Sequence, residues 1–87
     1  MEDLQALKAS GAQIVDVRTP GEFGLGHLAG SVNIPLDQFQ ARLGEIDPAR
    51  AVLLCCASGV RSGMAKTILE KAGHTQVHNA GPWTRLQ

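Results

Sequence analysis

The sequence has no surplus of charge of either sign: eight Lys and Arg balance eight Asp and Glu across 87 residues. That balance removes any global field for nucleic acid or an anionic membrane, so anion binding has to be local. No run of about 18 apolar residues occurs, which argues against a membrane-spanning helix, and the first residues, Met1-Glu2-Asp3-Leu4, lack a basic region followed by an apolar one. The chain is therefore expected to be cytoplasmic, or periplasmic if a leader has been removed. There are only two cysteines, and they are adjacent. A bond between neighbours would be strained, so the fold does not rest on a disulfide. Cys55-Cys56 and the scattered His27, His74 and His78 lack metal-ligand spacing. A phosphate-loop lysine motif and a dinucleotide fingerprint are also missing, so neither metal nor cofactor is expected. No repeat or linker interrupts the chain, and its length suits one small domain, residues 1–87, with a monomer expected.

What is present is an alternation of strand and helix patterns. Leu4, Leu7 and Lys8 at helical spacing predict a first helix ending at Ser10-Gly11. Ile14–Val17 reads as a buried strand, broken by Pro20-Gly21, with one helical turn at Glu22-Phe23 and a glycine-rich connection after it. Val32–Ile34 is a second, short strand. Leu36, Phe39, Leu43 and Ile46 place one apolar stripe on a helix that stops before Asp47-Pro48. Ala51–Cys55 is a continuous apolar run, as in a central parallel strand covered on both faces. Met64, Ala65, Ile68, Leu69 and Ala72 form the inner stripe of a fourth helical segment capped by Gly73, and Val77–Asn79 is the last strand. The pattern predicts a three-layer α/β domain, a small, mostly parallel sheet of four to five strands flanked by helices.

The most informative stretch is Ala51 to Met64. It is a strand that runs into Cys56, a loop of small residues and a helix. Strand direction aims Cys56 at the carboxyl edge of the sheet, where open α/β folds bind ligands. Gly59 permits a positive φ that turns loop amides inward, and the helix N-terminus adds its positive end. Such surroundings lower a thiol's pKa and make the sulfur a nucleophile at neutral pH. Cys55, one residue earlier, faces the other side of the sheet and reads as core packing.

This stretch resembles the active loop of the rhodanese sulfurtransferases, with Cys56 to Arg61 as its six residues. The resemblance extends to Asp16-Val17-Arg18, Glu22-Phe23 and Gly26-His27-Leu28-Ala29-Gly30-Ser31-Val32-Asn33-Ile34-Pro35, which are similar to the family's N-terminal signature, and to Asn79-Ala80-Gly81. It implies a rhodanese-like domain in which Cys56 takes a sulfane sulfur from thiosulfate or a related small anionic donor. The sulfur is held as a persulfide and passed to cyanide, a thiol or a protein acceptor. On the same resemblance Ala57, Ser58, Gly59, Val60, Arg61 and Ser62 form the donor site. The neutral residues act chiefly through backbone amides, Arg61 stabilises the thiolate and binds donor oxygens, and Ser62 either lines the site or caps the helix. Asp16, Arg18, Glu22 and His27 are a structural signature, with Arg18 paired to Asp16 or Glu22 and His27 anchoring a loop.

Two rival readings are weighed against this. Phosphatases and arsenate reductases that share the fold carry one more residue between cysteine and arginine, whereas Ala57 to Val60 supplies four. A cradle of that size favours a sulfur-centred donor over tetrahedral phosphate. Non-catalytic rhodanese-like modules usually lose the loop cysteine, which is present here. The chain departs from the family in having Pro82 where a second glycine is usual and in lacking the short first strand and the last helix many members carry.

Overall fold

The computed structural model describes residues 3–87. Its first helix, α1 (Leu4–Ala9), begins at Asp3, whose carboxylate accepts from the Gln5 and Ala6 amides at 3.1 Å, the usual satisfaction of helix-start donors. Strand β1 (Gln13–Asp16) follows, then a short helix α2 (Pro20–Gly24), strand β2 (Val32–Asn33) and helix α3 (Leu36–Phe39). A 3₁₀ segment, Gln40–Glu45, leads toward β3 (Val52–Cys56). Then come α4 (Val60–Lys71), β4 (Val77–Pro82) and a closing 3₁₀ turn, Trp83–Leu86.

The four strands form one all-parallel sheet in the order β2-β1-β3-β4. Strand β3 lies between β1 and β4, and all five of its residues are buried, as its unbroken apolar run requires. Alternation along β3 divides the interior in two. Val52, Leu54 and Cys56 join Phe39, Ala65 and Leu69 on the α3/α4 face. Leu53 and Cys55 join Ile14, Leu28, Ala80 and Leu86 on the other face, against Leu4, Leu7 and Trp83. The second face is tied down by Lys8 Nζ donating to the Leu86 carbonyl at 2.6 Å. The result is the helix–sheet–helix α/β layering that the sequence pattern predicts.

The structure corrects several local expectations. Pro20 opens a helix instead of only breaking a strand. It sits in the first turn of α2, where its missing N–H costs nothing, and Thr19 caps that helix in a reciprocal box with Glu22. The single helix expected across Leu36 to Ile46 is split. Arg42 departs from helical geometry (φ −112°, ψ 17°) and the chain tightens to 3₁₀. Phe39 and Ile46 are nevertheless buried and Leu36 and Leu43 pack beside them, so the apolar stripe is kept while the helical geometry changes. On α4 the inner face is Ser62, Ala65 and Leu69, with Ile68 packed alongside. Met64 is 56% exposed, and Ala72, at the C-cap, is exposed. Met64 lies about 200° around the helix from Ser62, so turning Ser62 inward turns Met64 outward. The last strand is longer than expected and carries a bulge. Leu54 pairs with Asn79 but Cys55 with Gly81, leaving Ala80 as an extra residue.

Candidate active site

Cys56 ends β3 at the carboxyl edge of the sheet and is fully buried. Only Ala57, Ser58 and Gly59 lie between strand and helix, because Val60 and Arg61 already belong to the first turn of α4. The six-residue loop read from the sequence is thus a three-residue turn plus a helix start. Gly59 has φ +102°, and a Cβ there would lie 3.3 Å from Gly81 Cα. Glycine is needed at this position both for the backbone angle and for the close approach of β4.

That turn aims its donors at the sulfur. The Gly59 N–H donates to Cys56 Sγ at 2.9 Å and the Ser62 N–H at 3.5 Å, and the Ser62 hydroxyl lies at 3.4 Å. Burial pushes the Cys56 thiol up, but hydrogen bonds from the Ser62 hydroxyl and from the amides of Ser62, Gly59 and Ser58 outweigh it and hold the pKa below its ordinary value. The first turn of α4 adds its partial positive charge at the same place. Cys55 shows the opposite balance. Burial first, then the Asp16 carboxylate, push its thiol up to about 12. Two adjacent cysteines are therefore separated chemically by strand alternation.

Asn79 braces the cradle. Its Oδ1 accepts from the Ser62 hydroxyl at 2.6 Å and from the Gly81 amide at 3.0 Å, while Nδ2 donates to the Gly59 carbonyl at 3.0 Å. These three bonds fix which end of the amide is oxygen. They also create a competition, since a hydroxyl has one proton to give. Ser62 serves Asn79 or a Cys56 thiolate at any moment, and in the thiol state Cys56 can donate to the Ser62 oxygen instead. Ser62 does not cap α4; its side chain is buried between strand and helix, and the N-cap position is Gly59.

The charged residues form two pairs. Asp16 is fully buried and takes the Arg18 Nε and Nη2 at 2.8–3.0 Å together with the Arg18 backbone N–H. Arg18 also donates to the Gly26 carbonyl and lies 4.9 Å from the Trp83 ring centroid, so its charge is bonded, stacked and kept from water. The Glu22 carboxylate pairs with Arg61 rather than with Arg18: Nη1 meets Oε1 at 2.6 Å and Nη2 meets Oε2 at 2.9 Å. Only the Glu22 backbone carbonyl accepts from Arg18, at 3.4 Å. The Arg61 fork holds Glu22 at a pKa of about 2, with help from the Thr19 amide and hydroxyl. His27 is exposed, stacked on Phe23 at 3.7 Å with Nδ1 2.8 Å from the Phe23 carbonyl. Asn33 ties the β1 end by donating to the carbonyls of Asp16 and Arg18.

A family profile described as the rhodanese-like domain matches residues 1–80. The chain belongs to the rhodanese family. The thiosulfate sulfurtransferase PspE of Escherichia coli is 39% identical over 69 residues, covering 77% of this chain and 66% of that protein. An uncharacterised Bacillus subtilis protein, YqhL, is 47% identical over 68 residues, covering 78% of this chain and 54% of its own length. The chain thus spans between half and two thirds of the length of these curated relatives. Among solved structures, an Escherichia coli rhodanese with anions superposes with a TM-score of 0.80 at 35% identity, covering 86% of this chain and 91% of the other. A Staphylococcus aureus rhodanese-like domain protein gives 0.82 at 30% identity, covering 95% and 81%.

Two features of this rhodanese site lie outside the expectations drawn from its sequence. The α2 capping box has a signal that could have found it, Thr19 followed three residues later by Glu22. The bracing role of Asn79 carries no local signal, because its partners lie 17 and 20 residues away on another element.

Proposed function

We propose that this rhodanese is a sulfurtransferase that carries a sulfane sulfur on Cys56. The observation that carries the reading is the set of amides converging on a buried sulfur whose pKa they lower. The Cys56 thiolate attacks the outer sulfur of thiosulfate or a related donor. A new S–S bond forms on Sγ as the donor's S–S bond breaks, and the bonding pair leaves with sulfite. A thiophilic acceptor, whether cyanide, a thiol or a protein thiol, then attacks the outer sulfur and returns the thiolate. This is covalent catalysis in two half-reactions. The family relation to named thiosulfate sulfurtransferases supports it, and no cofactor enters any step.

The test is intact mass after thiosulfate treatment and again after cyanide, for the native chain and for Cys56→Ser and Cys55→Ser. The native chain and Cys55→Ser gain one sulfur that cyanide removes, and Cys56→Ser gains none. Equal loss in both folded variants would overturn the assignment to Cys56, and no adduct in the folded native chain with any sulfane donor would overturn sulfur transfer itself.

A further inference from the structure

The arginine at the cradle already has a counter-charge. The two terminal nitrogens of the Arg61 fork donate to the two oxygens of Glu22, and Oε1 is also held by the Thr19 amide at 3.0 Å and hydroxyl at 3.1 Å. The carboxylate is therefore held by α2's own capping box as well as by Arg61, and the box sets its position. The pair is only partly screened by protein: the two side chains are 33% and 36% exposed, so an incoming anion can reach it. Arg18, the other arginine of the signature, is likewise spent on Asp16. Between Cys56 and Arg61 the side chains Ala57, Ser58, Gly59 and Val60 carry no charge. A donor approaching Cys56 thus meets backbone amides and a neutralised arginine.

We propose that Glu22 is a donor-selectivity residue: by pairing with Arg61 it cancels the charge that would favour the dianion thiosulfate, and so shifts the site toward sulfane donors of lower charge. The inference rests on sulfur transfer through Cys56. Two donors isolate it. Thiosulfate delivers its outer sulfur and leaves as sulfite, and benzenethiosulfonate delivers the same kind of sulfur and leaves as benzenesulfinate, with one negative charge fewer. Each half-reaction ends with the same Cys56 persulfide, so the ratio of their kcat/KM values reads the charge discrimination alone. Changes in the nucleophile cancel in that ratio.

Glu22→Gln removes the charge and keeps the capping box, which glutamine also closes. A unit charge at roughly 6 Å through solvent alters a unit-charge encounter by about threefold. The thiosulfate-to-thiosulfonate ratio is expected to rise about threefold in Glu22→Gln at low ionic strength. The gain shrinks toward the native ratio near 1 M salt, where the Debye length falls to about 3 Å. Arg61→Gln, which leaves Glu22 unpaired, moves the ratio the other way by a similar factor, and in the double variant the gain disappears. A packing role for the pair would move both donors together and leave the ratio and its salt dependence unchanged. An unchanged or lowered ratio in folded Glu22→Gln, with native persulfide formation intact, overturns the proposal and points to another cation, such as Arg85 beside Gly81, as the reader of donor charge. Native chain that forms no persulfide with either donor would refute sulfur transfer instead, a separate and visible failure.

Discussion

Replacing Ser62 by alanine separates the contribution of the hydroxyl from that of the amides. In the native chain the Ser62 oxygen stands 3.4 Å from Cys56 Sγ and 2.6 Å from Asn79 Oδ1, with one proton between the two acceptors. A hydrogen bond to a charged acceptor is worth about 2 kcal/mol, and sharing the proton with Asn79 halves that to about 1 kcal/mol. One pKa unit corresponds to 1.36 kcal/mol, so Ser62→Ala should raise the Cys56 pKa by about 0.7 unit. Well below the midpoint the thiolate fraction then falls about fivefold, while each remaining thiolate becomes about twofold more nucleophilic because nucleophilicity rises with basicity. The net effect is a two- to threefold loss of alkylation rate at low pH and a gain of about twofold on the high-pH plateau. The assay is the pH dependence of iodoacetamide labelling, with tandem mass spectrometry assigning the label to Cys56 and not Cys55. Crossing profiles with a displaced midpoint support the reasoning. An unmoved midpoint would refute it, showing that the hydroxyl proton stays on Asn79 and that the Gly59 and Ser62 amides activate the sulfur alone.

Gly59→Ala places a side chain at φ +102° and 3.3 Å from Gly81 Cα; the strain costs about 2 kcal/mol, lowers Tm by about 10 °C and slows Cys56 labelling, and a native melting curve would contradict it. Asp16→Asn leaves the Arg18 guanidinium, 5% exposed, without its counter-charge, a loss of about 3 kcal/mol visible as a fall of more than about 10 °C in thermal unfolding. A change below about 1 kcal/mol would show that the Gly26 carbonyl and Trp83 ring suffice to hold that charge.

The parallel α/β layering was legible because two periodicities alternate along the chain, and the continuous apolar run of β3 marked the central strand. Cys56 was legible because strand, turn glycine and helix start are consecutive in sequence. Legibility fails where partners are distant. Nothing near Arg61 indicates that its fork closes on a carboxylate 39 residues earlier, and nothing in Asn79 shows that its amide spans Gly59, Ser62 and Gly81. Met64 misled for a different reason. Its helical spacing with Ala65, Ile68, Leu69 and Ala72 places it on the inner stripe, but the helix is rotated by the burial of Ser62 beside the sulfur. Likewise the stripe from Leu36 to Ile46 predicted burial correctly and helix type incorrectly, because 3₁₀ and α geometry can bury nearly the same positions.

The place of Asn79 on β4, the last strand, gives the assembly of the Cys56 cradle an order in time. During synthesis Cys56 is added to the chain 23 residues ahead of Asn79. At elongation rates of about 5–20 residues per second, the thiol exists for on the order of a second or more before the amide that braces its cradle has even been made. Until then the chain can hold the sulfur and the residues of the Gly59 turn, but it lacks the side chain that fixes the Gly59 carbonyl and the Ser62 hydroxyl. The braced cradle around the thiol is in this sense a late product of translation, completed when the last strand docks on β3.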